Sequence, residues 1–210
     1  MDYQAIMFDL DGVICFTDEY HYLAWKGTAD ALGIPFDRQV NNRLRGVSRM
    51  ESLEIILEKY DGKLTEQEKA VLAEQKNDRY KASLAAMTPA DLQEEVKTTL
   101  DALRQRGCKL AIGSSSKNAG FILERLGLSG YFDAVSDGNN ITRSKPDPEV
   151  FLKAAEYLGV QPEVCLVVED AVSGVDAAHA GGMKAAALGD AAEKKYGDYI
   201  LARFSDLLRI

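Results

Sequence analysis

Cysteine is scarce in this chain of 210 residues: Cys15, Cys108 and Cys165 are odd in number, far apart, and include no closely spaced pair. Neither a disulfide framework nor a thiolate metal site is expected, and the three read as reduced thiols of a cytoplasmic protein. Long apolar runs are also missing. The longest, Val164-Cys165-Leu166-Val167-Val168, falls far short of the roughly 20 residues that span a bilayer. The start, Met1-Asp2-Tyr3-Gln4, carries neither a basic stretch nor a long apolar one, so no secretory leader is expected. Positive charge is in deficit, with 25 Lys and Arg against 33 Asp and Glu and a net charge of −8. Such a surface repels phosphate backbones and anionic lipid heads, so neither a nucleic acid nor a membrane is expected as a partner. Against these shortages, 46% of the residues are apolar and 28% charged, enough core for an ordinary globular fold. The length allows one large domain or a medium domain with a small companion.

Along the chain two patterns alternate. Tyr3 to Phe8 is an apolar, β-leaning run that stops at Asp9-Leu10-Asp11-Gly12, a strand and its turn. From about Asp18 to Met87 only helices are indicated: one to Leu32, stopped by Gly33, then two opened by capping boxes, Ser48 with Glu51 and Thr65 with Glu68. Pro89 marks a break. Beyond it, short strands at Lys109–Gly113, Ala134–Ser136, Val164–Val168 and Ala185–Leu188 alternate with helical faces. This predicts an α/β fold, a doubly wound parallel sheet with helices on both faces. Residues 1–17 and 88–210 are expected to form the α/β core, and residues 18–87 an inserted helical unit.

In an open parallel sheet, ligands bind at the carboxyl ends of the strands. The residues at the predicted ends are Asp9 and Asp11, Ser114-Ser115-Ser116, and Glu169-Asp170, with Lys145 in the loop Ser144-Lys145-Pro146. Each has an ordinary alternative. A lone pair of aspartates is usually solvated, three serines can cap a helix, Lys145 can be a plain loop lysine, and Glu169-Asp170 can simply end a strand. Their joint placement on one edge favours a site. Close carboxylates repel unless a cation joins them, and Asp9, Asp170 and a carbonyl are hard oxygen donors, which suit magnesium. With Ser114 and Lys145 to hold phosphate oxygens, the set points to phosphoryl transfer.

At these residues the chain resembles the haloacid dehalogenase superfamily of phosphotransferases. The motifs are Phe8-Asp9-Leu10-Asp11-Gly12-Val13, Ser114, Lys145-Pro146 and Glu169-Asp170, and the resemblance covers nearly the whole chain, weakest after about Gly189. Within the superfamily, the inserted segment and the serine motif are similar to the branch of isomerases that interconvert β-glucose 1-phosphate and glucose 6-phosphate. That similarity is carried by Thr17, Glu19-Tyr20-His21, Trp25-Lys26, Gly46-Val47-Ser48-Arg49, Ser52, Lys76-Asn77-Asp78 and Ser114-Ser115-Ser116-Lys117-Asn118. The segment Gln93-Glu94-Glu95-Val96 departs from the Pro-Gly turn of many relatives.

The resemblance implies a Rossmann-like core under a helical cap, and a role for each residue. Asp9 is the nucleophile that becomes an aspartyl phosphate, and Asp11 the general acid and base. Mg²⁺ is held by Asp9, Asp170 and the carbonyl of Asp11, with Glu169 fixing its surroundings and contacting sugar hydroxyls. Ser114 and Lys145 neutralise the transferring group. Arg49 from the cap, with Ser116, Lys117 and Asn118, cradles a second, non-reacting phosphate, as an isomerase that turns its bisphosphate intermediate must have. His21 and Lys76, with Thr17 near the hinge, couple sugar binding to cap closure and to the placement of Asp11, and Trp25, Gly46, Val47, Ser52 and Ser115 complete the substrate site. The implied partners are β-glucose 1-phosphate, glucose 6-phosphate and β-glucose 1,6-bisphosphate, acting on a cytoplasmic monomer. A sugar-phosphate phosphatase of the same superfamily shares the core motifs and is separated by Arg49, His21 and Lys76. A signalling receiver domain is disfavoured by the helical insertion.

Overall fold

The computed structural model describes residues 3–210. Met1 and Asp2, which open the segment read above for a leader, lie outside them. The first strand, β1 (Ala5–Phe8), runs into Asp9 and a turn at Gly12, where φ of 95° suits only glycine. Helices α1 (Asp18–Ala31), α2 (Arg38–Asn42), α3 (Arg49–Leu57) and α4 (Glu66–Leu84) follow before any second strand. Then come α5 (Glu94–Gln105), β2 (Lys109–Gly113), α6 (Ala119–Arg125), β3 (Ala134–Ser136) and α7 (Glu149–Leu158). The chain ends with β4 (Cys165–Glu169), α8 (Val172–Ala180), β5 (Lys184–Ala187), α9 (Gly189–Glu193) and β6 (Tyr199–Ile200), followed by a short 3₁₀ turn at Phe204–Arg209.

Local chemistry sets these boundaries. Both capping boxes form: Ser48 Oγ accepts from the amide of Glu51 while Glu51 returns to the amide of Ser48, and Thr65 and Glu68 do the same. The helix expected from Phe121 starts at Ala119, and the first strand starts at Ala5 rather than Tyr3. α2, α9 and β6 had no counterpart in the sequence reading, because two to five residues are too few to display a period.

Among the described residues six strands form one parallel sheet in the order β3-β2-β1-β4-β5-β6. β1 is central, with Phe8 level with Ile112 of β2 and Val168 of β4, so the residues just beyond these three arrive at one edge. Alternation along β1 serves two cores. Ile6 and Phe8 pack with Leu100 and Leu103 of α5, Ile122 of α6, and Phe204, while Ala5 and Met7 pack with Phe151 and Ala154 of α7 and Val175 of α8. A third cluster (Trp25, Ala29, Phe36, Leu53, Ile56 and Ala73 among its members) lies within α1–α4 and the loops joining them. Ala24, Tyr80, Leu84 and Met87 instead join the core under the sheet and tie the helical segment to it. The three cysteines are buried, and no disulfide forms among the described residues. No helix of the described residues is long and apolar enough to cross a membrane. The Gln93–Val96 departure starts α5, and Glu95 Oε1 accepts from the amide of Ser205 at 3.0 Å, anchoring the last turn of the chain.

Gly113, the last residue of β2, is required by packing rather than by backbone angle. A Cβ there would sit 2.6 Å from two ring carbons of Phe151. Gly113→Ala should lower the free energy of unfolding in urea by about 2 kcal/mol, and a Phe151→Leu change made with it should recover part of the loss.

Candidate active site

A cleft of about 1410 Å³ lies between the helical segment and the carboxyl ends of the strands. Its floor is built by strand register. β1 delivers Asp9, whose amide donates to Val168 O at 2.9 Å, β2 delivers Ser114, whose amide donates to Ser136 O at 3.0 Å, and β4 delivers Glu169 and Asp170. Lys145, joined to Pro146 by a cis peptide, is fully covered and donates from Nζ to Asp9 Oδ1 at 2.6 Å and to Glu169 Oε1. Burial alone would lower its pKa, but Asp9 and Glu169 outweigh that and raise it, so it stays an ammonium.

Oxygens of Asp9, Glu169 and Asp170 lie within 4.8 Å of one another, all buried. Gly12 makes their closeness possible, since a Cβ on it would meet Asp170 Oδ2 at 2.2 Å. Desolvation and mutual repulsion push the carboxyls of Glu169 and Asp170 upward, the state expected of a site waiting for positive charge. The donors are all oxygen and closely packed, so the residues present fit a hard divalent cation.

Asp11 stands apart from this triad, under the helical segment. Thr17 Oγ1 donates to its Oδ1, and Tyr80 OH approaches the same oxygen at 3.4 Å. Desolvation and then the charge of Asp9 push Asp11 up to about 6. Next to it, Lys76 Nζ lies 2.9 Å from His21 Nδ1, 4.5 Å from the centroid of the Tyr80 ring and 5.0 Å from that of Trp25. Burial, and after it Arg49, lowers Lys76 to about 7, and burial with Lys76 drives His21 well down, so the imidazole is neutral.

A second polar group joins the helical segment to the loop after β2. Arg49 Nη2 and Asn118 Nδ2 both donate to Asn77 Oδ1, at 2.8 and 3.0 Å, and Arg49 Nη1 reaches Glu74 at 3.1 Å. Below them the serine motif is folded on itself: Ser116 N donates to Ser114 Oγ and Asn118 N to Ser116 Oγ, each at 3.1 Å. Ser115 Oγ donates to Gly46 O at 2.9 Å.

Most of the expected site residues reach this one space. The cleft is lined by Asp9, Asp11, His21, Trp25, Gly46, Val47, Arg49, Ser52, Lys76, Ser114, Ser115, Ser116, Lys117, Asn118 and Asp170. Three lie outside the lining. Lys145 works from beneath, through Asp9. Thr17, fully buried, spends its hydroxyl on Asp11, in keeping with the expected part in placing that carboxyl, and makes no part of the cleft wall. Glu169 is corrected. Its Oε1 is taken by Lys145 and its Oε2 by the amides of Asp170 and Ala171, leaving no oxygen for sugar hydroxyls. Arg45, Tyr80 and Ser173 were missed. Arg45 Nη1 donates to Asp170 Oδ2 at 2.8 Å, a contact between positions too far apart in the chain for any local pattern to reveal. The one available signal was the neighbouring run Gly46-Val47-Ser48-Arg49.

A buried aspartate beside a lysine, a second carboxyl, a serine and an acidic triad gather at the carboxyl edge of a doubly wound sheet under a helical segment, the setting of a phosphoryl-transfer enzyme. The model of the haloacid dehalogenase-like hydrolases matches residues 3–182. The chain belongs to that family. It is 42% identical to β-phosphoglucomutase of Bacillus subtilis over 206 residues, 97% of this chain and 91% of that one. It is 33% identical to the phosphorylated carbohydrates phosphatase of Thermotoga maritima, over 86% of this chain and 82% of that protein. Among solved structures it is similar to β-phosphoglucomutase of Clostridium difficile, with a TM-score of 0.92, 36% identity, and coverage of 98% and 93% of the two chains.

The Lys76 environment has a measurable consequence. The lysine is charged in the unfolded chain up to its ordinary value near 10.5, but neutral in the fold above about 7. Between those limits folding releases a proton, so stability rises with pH, and at lower pH the buried charge costs the fold. Lys76→Met removes the charge at nearly constant volume. Its stability advantage over the parent should be largest near about pH 6 and shrink by roughly 2 kcal/mol by about pH 9, read from urea unfolding at each pH.

Proposed function

We propose that this chain is a β-phosphoglucomutase, interconverting β-D-glucose 1-phosphate and D-glucose 6-phosphate by way of an aspartyl phosphate and β-glucose 1,6-bisphosphate. One observation carries the reading. A single cleft is lined both by the phosphoryl-transfer group Asp9, Asp11, Ser114 and Asp170 and by a second polar group, Arg49, Ser116, Lys117 and Asn118. A hydrolase needs the first group only. A substrate that carries phosphate at each end in turn needs both.

The roles follow from the geometry. Lys145 holds Asp9 Oδ1, which leaves Oδ2 as the oxygen that attacks phosphorus. As the new O–P bond forms and the bond to the sugar oxygen breaks, Asp11 delivers its proton to the departing oxygen. In the return step it takes the proton of the attacking hydroxyl. A carboxyl with a pKa near 6 is suited to both duties around neutrality. Thr17 and Tyr80 hold that carboxyl from the helical side, so the acid is in place when the segment of residues 18–87, acting as a cap, lies over the core. Ser114 and the Lys145 ammonium meet the charge that spreads over the phosphoryl oxygens. Magnesium is the ion assigned: Asp9, Asp170 and the carbonyl of Asp11, beside Glu169, would hold it, and it would add positive charge at the phosphoryl group. Arg49 offers a planar fork for the far phosphate, with Ser116, Lys117 and Asn118 facing it from the core. Cap closure excludes water that would otherwise hydrolyse the aspartyl phosphate. The sugar-phosphate assignment also accords with the β-phosphoglucomutases of B. subtilis and C. difficile to which the chain is similar.

The test is a coupled assay for glucose 6-phosphate from β-glucose 1-phosphate with Mg²⁺ and a trace of the 1,6-bisphosphate, with inorganic phosphate followed in parallel. Isomerisation of the β but not the α anomer, with little phosphate release, is expected. Phosphate release at rates rivalling isomerisation would turn the assignment to a sugar phosphatase, as in the T. maritima relative. Asp9→Asn should lose at least about a thousandfold in turnover while keeping its melting temperature, because only the nucleophile is removed. Arg49→Ala should reduce isomerisation about ten- to a hundredfold and any slow hydrolysis much less, since only the former must reorient the bisphosphate. Equal loss of both would remove Arg49 from that role.

A further inference from the structure

The charge balance of the acidic triad is completed from an unexpected direction. Lys145 is already engaged by Asp9 and Glu169, which leaves Asp170 without a core partner for its charge. Arg45, in the loop between α2 and α3, reaches across the cleft, placing Nη1 2.8 Å from Asp170 Oδ2 and Nη2 3.3 Å from Asp18 Oδ1 at the start of α1. The backbone beside it is bonded to the core as well. Ser173 Oγ donates to Arg45 O at 3.2 Å and Ser115 Oγ to Gly46 O at 2.9 Å. The fit leaves no room for a side chain at Gly46, where a Cβ would lie 2.4 Å from Ser173 Oγ. One short loop thus sets a cation on the acidic floor and fastens itself to the loops that follow β2 and β4.

That seat is not wholly comfortable. Among the described residues, Arg45 Nε is the one buried side-chain nitrogen or oxygen without a hydrogen-bond partner. Leaving a guanidinium N–H unpaired costs free energy that a relaxed arginine would avoid. The pose is therefore held by the carboxylates of Asp170 and Asp18 and by the bonds of Ser173 and Ser115 to the carbonyls of Arg45 and Gly46.

We propose that Arg45 is a built-in counter-cation of the Asp9–Glu169–Asp170 triad: in the metal-free protein it neutralises Asp170 and pins the helical segment over the cleft, and a divalent ion entering the triad competes with it for Asp170. Two positive charges on neighbouring faces of one carboxylate repel, so each weakens the hold of the other. Loading the metal loosens the grip of the Arg45–Gly46 loop on the core, which frees the segment to open for a sugar phosphate. This inference rests on the cation site assigned above and is independent of the reaction.

The test uses the whole protein without any sugar phosphate. Mg²⁺ affinity is measured by titration calorimetry for the parent, Arg45→Gln, Arg45→Lys and Arg38→Gln. The last removes an equal charge from the outer face of the cap, where Arg38 pairs with Glu19. Arg45→Gln should bind Mg²⁺ about five- to tenfold more tightly, while Arg45→Lys and Arg38→Gln stay within about twofold of the parent. In chelator, small-angle scattering should give a larger radius of gyration for Arg45→Gln than for the parent. Unchanged or weaker Mg²⁺ binding by Arg45→Gln, equal tightening in Arg38→Gln or Arg45→Lys, or identical scattering in chelator would each overturn the proposal. Because turnover enters neither measurement, such a failure leaves the phosphoglucomutase reading standing or falling on its own assay.

Discussion

Like charges are crowded at the end of the central strand, and the surrounding structure answers that crowding. Oxygens of Asp9, Glu169 and Asp170, all three buried, fall within 4.8 Å of each other. Repulsion at such distances in a poorly solvated site is severe unless cations or protons join the group. Lys145 answers for two members from below, and Arg45 for the third from above. Glycine at position 12 allows the approach, and the amides of Asp170 and Ala171 take the remaining oxygen of Glu169. The arrangement concentrates negative charge where a cation and a phosphoryl group are to be received, at the expense of stability in that region.

The carboxyl proposed above as acid and base is treated differently. Asp11 follows Asp9 by two positions, yet its contacts come from the helical side, from Thr17 and Tyr80. Two aspartates on one turn therefore have distinct environments, one held by a lysine of the core and the other governed by the segment that covers it. Separation of that kind is what allows neighbouring carboxyls to serve as nucleophile and as proton carrier. Lys76, His21 and Trp25 continue the arrangement outward, with a buried lysine amine pressed among aromatic rings and a neutral imidazole. The cap side of the cleft is thus as chemically shaped as the floor.

Much of the fold was legible because it rests on local rules. The capping boxes at Ser48 and Thr65 and the strand at Lys109–Gly113 stand where the sequence pattern puts them, since capping and burial of a short apolar run are decided by adjacent residues. α2, α9 and β6 escaped for want of length. Within the site, Asp9, Ser114 and Asp170 could be placed on one edge because a parallel sheet brings every strand end to the same side. Glu169 was placed in the right neighbourhood but expected at the sugar, while the structure buries it under the cleft, because burial depth is a property of packing and not of spacing.

The sequence by itself thus determined the alternation of strands and helices, the inserted helical run and the set of residues at the strand ends, all consequences of periodicity and of short-range hydrogen bonding. Only the tertiary structure decided which groups share charge: that Lys145 serves Asp9 and Glu169 together, that Asn77 joins Arg49 to Asn118, and that Arg45 meets Asp170 across 125 residues of chain. Electrostatic pairing depends on distance through space and on the water that packing removes, and neither quantity is written in the order of the residues.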